Sequence, residues 1–305
     1  MPKTKSKGAM IAIEAKTTYI PHIQTHFSKL WPPTSHLCYS ESIIAPPPTR
    51  HLHCRFAFYE KDPIDLALDW VDPDGSAPIP VIMPANEKRP GGDWENSVML
   101  PEECLCRRSN LSVTLATPAL GNAAKSNYPI PARAGIYSAN VVVFRSGPDR
   151  YEVWNRYRAL PIISVSPPRR PKLDSSGKKY SFAQERDMMR EKIHIALRIA
   201  VWYKHTRLCI GTFGLGNGFG NPTEEVAMLW REALMYNPEF IGHFQDIVFA
   251  FESPEGSAAN EHPSYRAASS SRSRAVNQSR SNCASDLEVF RRIFKPSNIH
   301  NAFNQ

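Results

Sequence analysis

The sequence predicts an α/β domain with three layers, in which helices cover both faces of a central sheet. Short apolar runs typical of buried strands alternate with amphipathic helical segments from about residue 79 to residue 252. Aliphatic and aromatic residues make up 42% of the 305-residue chain, which is enough for a sizeable core. The order of the segments is strand, helix, strand, strand, helix, strand, helix, strand, and this alternation is typical of the three-layer α/β class.

The segment before this region has a different composition. Residues 1–55 are rich in Pro, His, Thr and Ser and show little periodicity, so we expect a poorly ordered N-terminal extension with a few anchored aromatic residues. Residues 55–59 are compatible with a short strand, and residues 63–70 combine a first-turn proline with the apolar spacing of a short helix. With these two elements included, the predicted domain spans residues 56–252.

Five strands are predicted in the main part of the domain, each an apolar or β-branched run bounded by turn residues. They are residues 79–83, 138–144, 160–165, 206–211 and 246–252. Three helices are predicted between them from helical apolar spacing. They are residues 101–116, 182–204 and 222–236.

Two of these helices carry start signals. Ser181 and Gln184 have the spacing of a capping box at the start of the helix 182–204. Asn221 is predicted to be the N-cap residue of the next helix, with Pro222 at its first position. An apolar stripe on the helix 182–204 is predicted to be core. It consists of Met188, Ile195, Ile199 and Trp202.

The end of the chain changes character again. Residues 253–285 are rich in Ser, Ala, Asn and Arg and are predicted to form a disordered linker. Ser and Arg alternate within 269–281, so phosphorylation or contact with RNA is an alternative role for this stretch. Residues 286–294 are amphipathic and are predicted to return as a final helix that covers an apolar edge of the domain, followed by a tail to residue 305.

Composition limits the remaining possibilities. No apolar run approaches the roughly 20 residues of a membrane span, and the Lys-rich start lacks the apolar segment of a secretory signal, so we expect a soluble intracellular protein, cytoplasmic or nuclear, with no membrane partner. The six cysteines include no Cys-x-x-Cys pair, so we expect neither a metal site nor a disulfide framework, and no cofactor. The net charge of +8 lies mostly in the predicted tails, which attract polyanions without specifying a binding fold.

A first candidate site surrounds a glycine pair. Gly91 and Gly92 let the backbone approach a ligand closely, because no Cβ intervenes. Glu102 and Glu103 then open the helix 101–116. This combination indicates a phosphate and sugar site with an acid beside it. The alternative is a tight turn followed by a helix whose first-turn carboxylates suit the macrodipole.

A second glycine-rich loop, residues 211–221, has five glycines in eleven residues and lies between a strand and a helix. Backbone N–H groups in such a loop, together with a helix N-terminus, form a good cradle for phosphate. The loop fits neither the Gly-x-Gly-x-x-Gly dinucleotide pattern nor the Lys-containing phosphate loop of ATP-binding proteins. Two such loops at the carboxyl ends of strands indicate a crevice for a phosphorylated ligand. The predicted ligand contacts are Gly91, Gly92, Asp93, Gly214, Leu215, Gly216, Asn217, Gly218, Phe219 and Gly220.

Several dispersed motifs occur together in a fixed order. They are the glycine pair, the Glu-Glu helix start with Leu-Cys-Arg-Arg-Ser, Tyr128-Pro129, Gly135-Ile136-Tyr137-Ser138, Val141 to Arg145, Ile163-Ser164-Val165, and the second loop with Phe219-Gly220-Asn221-Pro222. In this order the chain resembles the microbial-type poly(ADP-ribose) glycohydrolases, which are macrodomain-like proteins that bind ADP-ribose. The resemblance covers about residues 79–252 and implies a three-layer, macrodomain-like mixed sheet flanked by helices.

The family signature consists of three glycines, a seven-residue spacer and Gln-Glu-Glu, whose last Glu is the catalytic acid. On this chain the signature falls, at the same spacing, on Gly91, Gly92, Asp93, Pro101, Glu102 and Glu103. Both carboxylates match, whereas the third glycine is Asp93 and the glutamine is Pro101. The preceding strand also departs, because Met83 stands where the family usually has Asn. An aspartate at this position would repel an anionic ligand unless Lys88 or Arg89 pairs with it.

The resemblance implies that the diphosphate of ADP-ribose lies on the loop 214–220, with Phe219 against a sugar or the base. Glu103 would protonate the oxygen that leaves the anomeric carbon of the distal ribose and would then activate water. Glu102 would orient ribose hydroxyls, because neighbouring helical side chains point about 100° apart.

Three functions therefore remain open from the sequence. The first is a glycosidase that hydrolyses a linkage of poly- or mono-ADP-ribose, with ADP-ribose or an ADP-ribosylated protein as partner. The second is a catalytically altered module that binds ADP-ribose or a related nucleotide without turnover, which Asp93 and Pro101 favour. The third is an RNA-associated protein that uses its Ser/Arg-rich tail, the only part of the chain for which we expect contact with nucleic acid.

Overall fold

A seven-stranded sheet organises the computed structural model, which describes residues 6–48, 52–70, 78–121, 125–251 and 286–295. The strands are short apolar runs interrupted by turn residues, as the sequence predicts. In chain order they are β1 (Ser35–Tyr39), β2 (Arg55–Tyr59), β3 (Val81–Pro84), β4 (Ala134–Arg145), β5 (Val153–Val165), β6 (Arg207–Ile210) and β7 (Asp246–Ala250).

The sheet is mixed, and its strand order is β1-β4-β5-β3-β6-β7-β2. Strand β4 runs antiparallel to both β1 and β5, whereas the other neighbouring strands are parallel. Val81 of β3 is in register with Cys209 of β6. Because β3 and β6 are parallel neighbours, the two glycine-rich loops that follow them leave the sheet at the same edge.

Helices cover both faces of the sheet. They are α1 (Lys7–Glu14), α2 (Ile20–His26), α3 (Pro63–Asp69), α4 (Pro101–Cys106), α5 (Leu111–Ala116), α6 (Ala183–Trp202), α7 (Thr223–Met235) and α8 (286–293), and a π-helical turn, Ala15–Tyr19, joins α1 to α2. One apolar core lies between the sheet and α6, α7 and α8. A second core lies between the sheet and α1 to α5. The predicted three-layer, macrodomain-like architecture is therefore confirmed.

The prediction of a poorly ordered segment over residues 1–55 is wrong for most of the part that the structure describes. Residues 7–26 are helical, and β1 pairs with β4 as an edge strand. The helices form because they have a surface to cover: Ala12 and Ile23 are buried in the second core. The buried guanidinium of Arg145 also donates to Ile11 O at 3.2 Å and forms an ion pair with Glu14. A local signal was present, since Ser6 caps α1 and residues 9–13 are all apolar, but the composition of residues 1–55 as a whole obscured it.

The predicted single helix 101–116 is two helices with a break at Ser109 and Asn110. Asn110 pairs with β4 through two hydrogen bonds: its N–H donates to Val142 O at 3.1 Å, and its Oδ1 accepts from Val142 N at 2.8 Å. These bonds to a strand interrupt the helical hydrogen-bond series, which no local pattern could indicate.

The helix α6 is present, but its predicted start and its predicted buried stripe need correction. Phe182, which has no capping group, is the N-cap residue in place of Ser181. Ile195 and Ile199 are buried, whereas Met188 and Trp202 are 51% and 49% exposed. The buried face is centred on other positions at helical spacing, namely Met189, Ile193, Ala196 and Ala200.

The final helix α8 lies over the edge of the sheet at β2 and β7, as predicted. The ring of Phe290 lies 5.1 Å from that of Phe249, and the ring of Phe294 lies 4.9 Å from that of Phe56. The predicted linker 253–285, with its Ser/Arg stretch, lies outside the described residues. None of the helices in the described ranges combines the length and apolarity needed to cross a membrane.

Candidate active site

Two carboxylates lie in the first turn of α4, at the edge of the sheet where both glycine-rich loops emerge. Pro101 occupies the first helical position, where its missing N–H has little effect on the helix. Glu102 and Glu103 follow and are only 2% and 3% exposed. Their burial excludes the interpretation that they are solvated first-turn carboxylates.

The carboxylate of Glu102 joins the end of β3 to the first glycine loop. Its Oε2 accepts from the backbone N–H of Asn86 at 2.5 Å, and its Oε1 accepts from that of Gly91 at 3.2 Å. Both oxygens are thus bonded to backbone donors. This geometry supports a role in holding the loop in place rather than in contacting ribose hydroxyls.

The carboxylate of Glu103 faces the second residue of the glycine pair. Its Oε1 accepts from the N–H of Asp93 at 3.3 Å. A Cβ added to Gly92 would lie 2.4 Å from the same oxygen. Gly92 also has a φ of +55°, which L side chains rarely adopt. Only glycine therefore lets the loop backbone pass this close to Glu103.

Burial changes the acidity of both groups. It raises the pKa of Glu102 from its ordinary 4.5 to about 8, against the opposing effect of the hydrogen bond from Asn86 and with help from the charge of Glu103. Burial also raises the pKa of Glu103, while hydrogen bonds from backbone N–H groups and the charges of Arg169 and Arg107 lower it. A carboxyl group with a raised pKa keeps its proton closer to neutral pH, as a general acid requires.

The raised pKa of Glu102 gives a testable pH dependence. Between pH 4.5 and about 8 the folded protein keeps a proton at Glu102 that the unfolded chain has released. The free energy of unfolding should therefore fall as pH rises through this window, by up to about 1.4 kcal/mol per pH unit. In Glu102→Gln this contribution should be absent. Urea unfolding at several pH values measures it, and an equally steep fall in the variant would contradict the assignment.

The departure from the family signature at Asp93 is compensated locally. The guanidinium of Arg89 forms an ion pair with the Asp93 carboxylate, and the two side chains are 58% and 44% exposed. Asn86 Oδ1 shapes the preceding turn by accepting from the N–H of Lys88 at 2.9 Å and of Arg89 at 3.2 Å. Asp93 therefore has the cationic partner that we expected to be needed for an anionic ligand to bind.

A buried arginine that the sequence analysis did not single out shapes the rest of the first loop. The guanidinium of Arg107 is fully buried and donates to three carbonyl oxygens, those of Trp94 at 2.9 Å, Asn96 at 2.7 Å and Val98 at 2.5 Å. Five N–H donors in a rigid plane suit this task. In the sequence it is the first arginine of the Leu-Cys-Arg-Arg-Ser motif, one helical turn after the acidic pair.

The second loop is built from glycines in the left-handed region. Gly214, Gly216 and Gly220 have φ values of +76°, +76° and +71°. Asn221 holds the loop closed, because its Nδ2 donates to Gly214 O and to Pro168 O, each at 2.8 Å. The prediction that Asn221 is an N-cap is therefore wrong. Pro222 is the N-cap residue of α7, and the Asn221 side chain turns towards the loop.

The two loops meet at Gly218. A Cβ on Gly218 would lie 2.3 Å from Cδ2 of Leu100, the N-cap residue of α4. Within the second loop Gly214, Leu215 and Phe219 are buried, Gly218 and Gly220 are half-buried, and Gly216 and Asn217 are exposed. The structure thus brings the predicted ligand residues of both loops to one place, which we call the crevice.

A third segment, not predicted from the sequence, borders the crevice. The N–H of Arg170, with a φ of +51°, donates to Phe219 O at 2.5 Å. The guanidinium of Arg169 lies 4.9 Å above the Phe219 ring. The available signal was two consecutive arginines after Pro168, at the carboxyl end of β5. Within the described ranges no group of three or more potential metal ligands occurs.

Comparison with known proteins agrees with this geometry. A family model described as the catalytic domain of microbial-type PARG matches residues 4–146, which include the first loop and α4. The chain is similar to the solved structure of poly(ADP-ribose) glycohydrolase (PARG) from Thermomonospora curvata, with 20% identity over 80% of this chain and 92% of that one and a TM-score of 0.60. None of the curated protein sequences gives a significant match.

Two further solved structures are similar to this chain. One is the Thermomonospora curvata enzyme bound to the inhibitor ADP-HPD, with 19% identity over 79% of this chain and 92% of that one and a TM-score of 0.61. The other is PARG from Deinococcus radiodurans in complex with ADP-ribose, with 20% identity over 92% of this chain and 98% of that one and a TM-score of 0.60. At these identities the structures establish a shared fold. The family match adds that residues 4–146 are similar to the catalytic domain of microbial-type PARG.

Proposed function

We propose that this protein binds ADP-ribose in the crevice and hydrolyses a glycosidic linkage of poly- or mono-ADP-ribose, with Glu103 as general acid. The observation that carries the proposal is the position of the Glu103 carboxyl group. It is buried against the backbone of Gly92 and Asp93, and Leu100, the N-cap residue of the helix that carries it, packs against Gly218 of the second loop. The family match over residues 4–146 and the ADP-ribose bound to the similar Deinococcus radiodurans structure support the choice of ligand.

The loop 214–220 is suited to the diphosphate. Three of its glycines have left-handed φ values, and the N-terminus of α7, which favours an anion, follows directly. Around Gly216 nothing lies within 4 Å of where a Cβ would be, so a ligand can approach the backbone there. The nearby guanidinium of Arg169 adds positive charge on the same side.

The reaction needs two proton transfers at Glu103, one from it and one to it. Protonated Glu103 donates to the oxygen that leaves the anomeric carbon of the distal ribose, and the bond between that carbon and oxygen breaks. The resulting carboxylate then takes a proton from a water molecule as the water oxygen bonds to the anomeric carbon. Glu103 thereby regains its proton, and the products are ADP-ribose and the released hydroxyl or side-chain group.

Glu102 contributes by positioning. Its two hydrogen bonds tie Asn86 at the end of β3 to Gly91 in the first loop. The loop in turn places the N–H of Asp93 against Glu103. We infer that Glu102 maintains the loop conformation in which the backbone can approach the distal ribose.

Asp93 should weaken ligand binding through its charge, although Arg89 offsets part of it. In Asp93→Asn the affinity for ADP-ribose should rise about threefold to tenfold at low ionic strength, because a negative charge near the diphosphate is removed. The gain should shrink at about 1 M salt. Calorimetric titration measures both, with Asp69→Asn as the control, because Asp69 is an exposed aspartate at the end of α3 that is also ion-paired, with Lys61. Equal affinities of Asp93→Asn and the wild type would contradict the argument.

The proposed activity is tested by incubating the purified protein separately with poly(ADP-ribose) and with mono-ADP-ribosylated protein. Free ADP-ribose is then quantified by chromatography. Release from either substrate supports the proposal and identifies the linkage that is cleaved. Absence of release from both, under conditions in which ADP-ribose binds, would show that the crevice binds the nucleotide without turnover.

A further inference from the structure

The connection between β5 and α6 is strongly basic. Residues 169–181, which we call the basic arm, contain five cations and a single carboxylate, that of Asp174. The cations are Arg169, Arg170, Lys172, Lys178 and Lys179. All five are exposed.

The carboxylate of Asp174 is used inside the arm. It accepts from Ser176 Oγ at 2.8 Å and from the backbone N–H groups of Lys178 at 3.1 Å and Lys179 at 3.3 Å. The arm folds back on itself through a bridge between Leu173 and Tyr180. The two lysine side chains therefore project from a turn whose shape depends on their backbone N–H groups and not on their ammonium groups.

None of the five cations forms an ion pair with a carboxylate among the described residues, which distinguishes the arm from the helix that follows it. Arginines of α6 are paired: Arg186 with Glu225, Arg190 with Asp187 and Arg198 with Glu239. The positive charge of the arm is thus left available to an anion from outside the chain.

Several contacts join the arm to the second glycine-rich loop, residues 211–221. The N–H of Arg170 donates to Phe219 O, and the Arg169 guanidinium covers the Phe219 ring. The hydroxyl of Tyr180 donates to Asn221 Oδ1 at 2.9 Å, and Asn221 is the residue that holds the glycine loop closed. Both ends of the arm are therefore held at the glycine loop, and Lys178 and Lys179 lie on the turn between them.

We propose that the basic arm is a second anion-binding surface, which holds diphosphates of a polymeric substrate beyond the unit bound in the crevice. This inference rests on the proposed function and specifies its substrate class as polymeric ADP-ribose. Every repeat of such a polymer carries a diphosphate, so a chain that leaves the crevice presents negative charge along its length. A single ADP-ribose in the crevice leaves the outer cations, Lys178 and Lys179, without a phosphate to contact.

The test compares Lys178→Gln/Lys179→Gln with the matched control Arg156→Gln/Lys204→Gln. Arg156 lies near the start of β5 and Lys204 just after α6, both at the opposite edge of the sheet and both exposed. Affinities for ADP-ribose and for defined-length poly(ADP-ribose) are measured at several salt concentrations. A Glu103→Gln background prevents turnover of the polymer during the titration.

In the arm variant we expect the affinity for ADP-ribose to stay within about twofold of the parent, while the affinity for the polymer falls about tenfold at roughly 0.1 M salt. The slope of log K against log salt should decrease by about 1.4, at about 0.7 for each lost phosphate contact. The control variant should match the parent for both ligands.

Two results would overturn the inference while leaving the proposed function intact. In one, the arm variant binds ADP-ribose normally, and its affinity for the polymer and the salt dependence of that affinity are the same as in the parent. The other concerns single-stranded RNA with the same number of phosphates. If this RNA binds as tightly as the polymer, and if its affinity falls by the same factor in the arm variant, the arm is an RNA-binding surface. Absence of ADP-ribose binding to the parent protein would instead refute the proposed function, and the role of the arm with it.

Discussion

Replacing Glu103 with Gln should lower the rate of ADP-ribose release about a thousandfold while leaving the affinity for ADP-ribose within about threefold. Gln keeps the size of the side chain and can still accept from the N–H of Asp93, so the first loop should keep its conformation. It has no acidic proton to give to the leaving oxygen. The loss should therefore appear in kcat and not in binding.

Single-turnover measurement of ADP-ribose release, together with calorimetric titration, separates the two effects. Glu232→Gln is the matched control, because Glu232 is an exposed carboxylate near the end of α7 and belongs to neither glycine loop. It should behave as the wild type in both measurements. A Glu103→Gln protein that still turns over at more than about a tenth of the wild-type rate would remove Glu103 from the mechanism.

A substitution in the glycine loop 214–220 should have a second large effect, on ligand affinity. In Gly216→Glu, affinity for ADP-ribose should fall at least about 100-fold, because a carboxylate placed beside the diphosphate opposes binding by several kcal/mol and fills the open side of the loop. Space is available for the new side chain, since nothing lies within 4 Å of where its Cβ would be. The φ of +76° adds only about 1–2 kcal/mol of backbone strain.

Gly121→Glu is a stringent control for that strain. Gly121 also has a positive φ, of +88°, and open space around the site of a Cβ, but it follows α5 and is not part of either glycine loop. Both variants should unfold at similar urea concentrations, and only Gly216→Glu should lose ligand binding. Equal affinity in the two variants would show that the diphosphate does not lie on the loop 214–220.

The sheet and the helices after residue 79 could be predicted because each has a local signal. Buried parallel strands such as β3 and β6 appear as short apolar runs, and α6 and α7 appear through helical spacing. The N-terminal helices were missed, although the Ser6 cap and the apolar residues 9–13 are a local signal for α1. Their stability comes from docking, as the buried Arg145 and its bonds to Ile11 and Glu14 show, and that information lies more than 100 residues further along the chain.

The candidate site, too, could be predicted only where its residues give a local signal. Glycines, carboxylates and their spacing could be identified in the sequence, as could the need for a cation beside Asp93. The separate roles of Glu102 and Glu103 could not be predicted, because they depend on which backbone N–H groups surround each carboxylate. The contact between Arg169 and Phe219 could not be predicted either, because the two residues belong to separate loops that meet only in the folded protein.

The most direct test of the account is a crystal structure of the Glu103→Gln protein with ADP-ribose bound. We expect the diphosphate to accept from backbone N–H groups of the loop 214–220. We expect the anomeric carbon of the distal ribose to lie within hydrogen-bonding reach of residue 103, directly or through one water molecule. ADP-ribose bound with its distal ribose turned away from α4, or bound outside the crevice, would contradict the assignment of Glu103 as the catalytic acid.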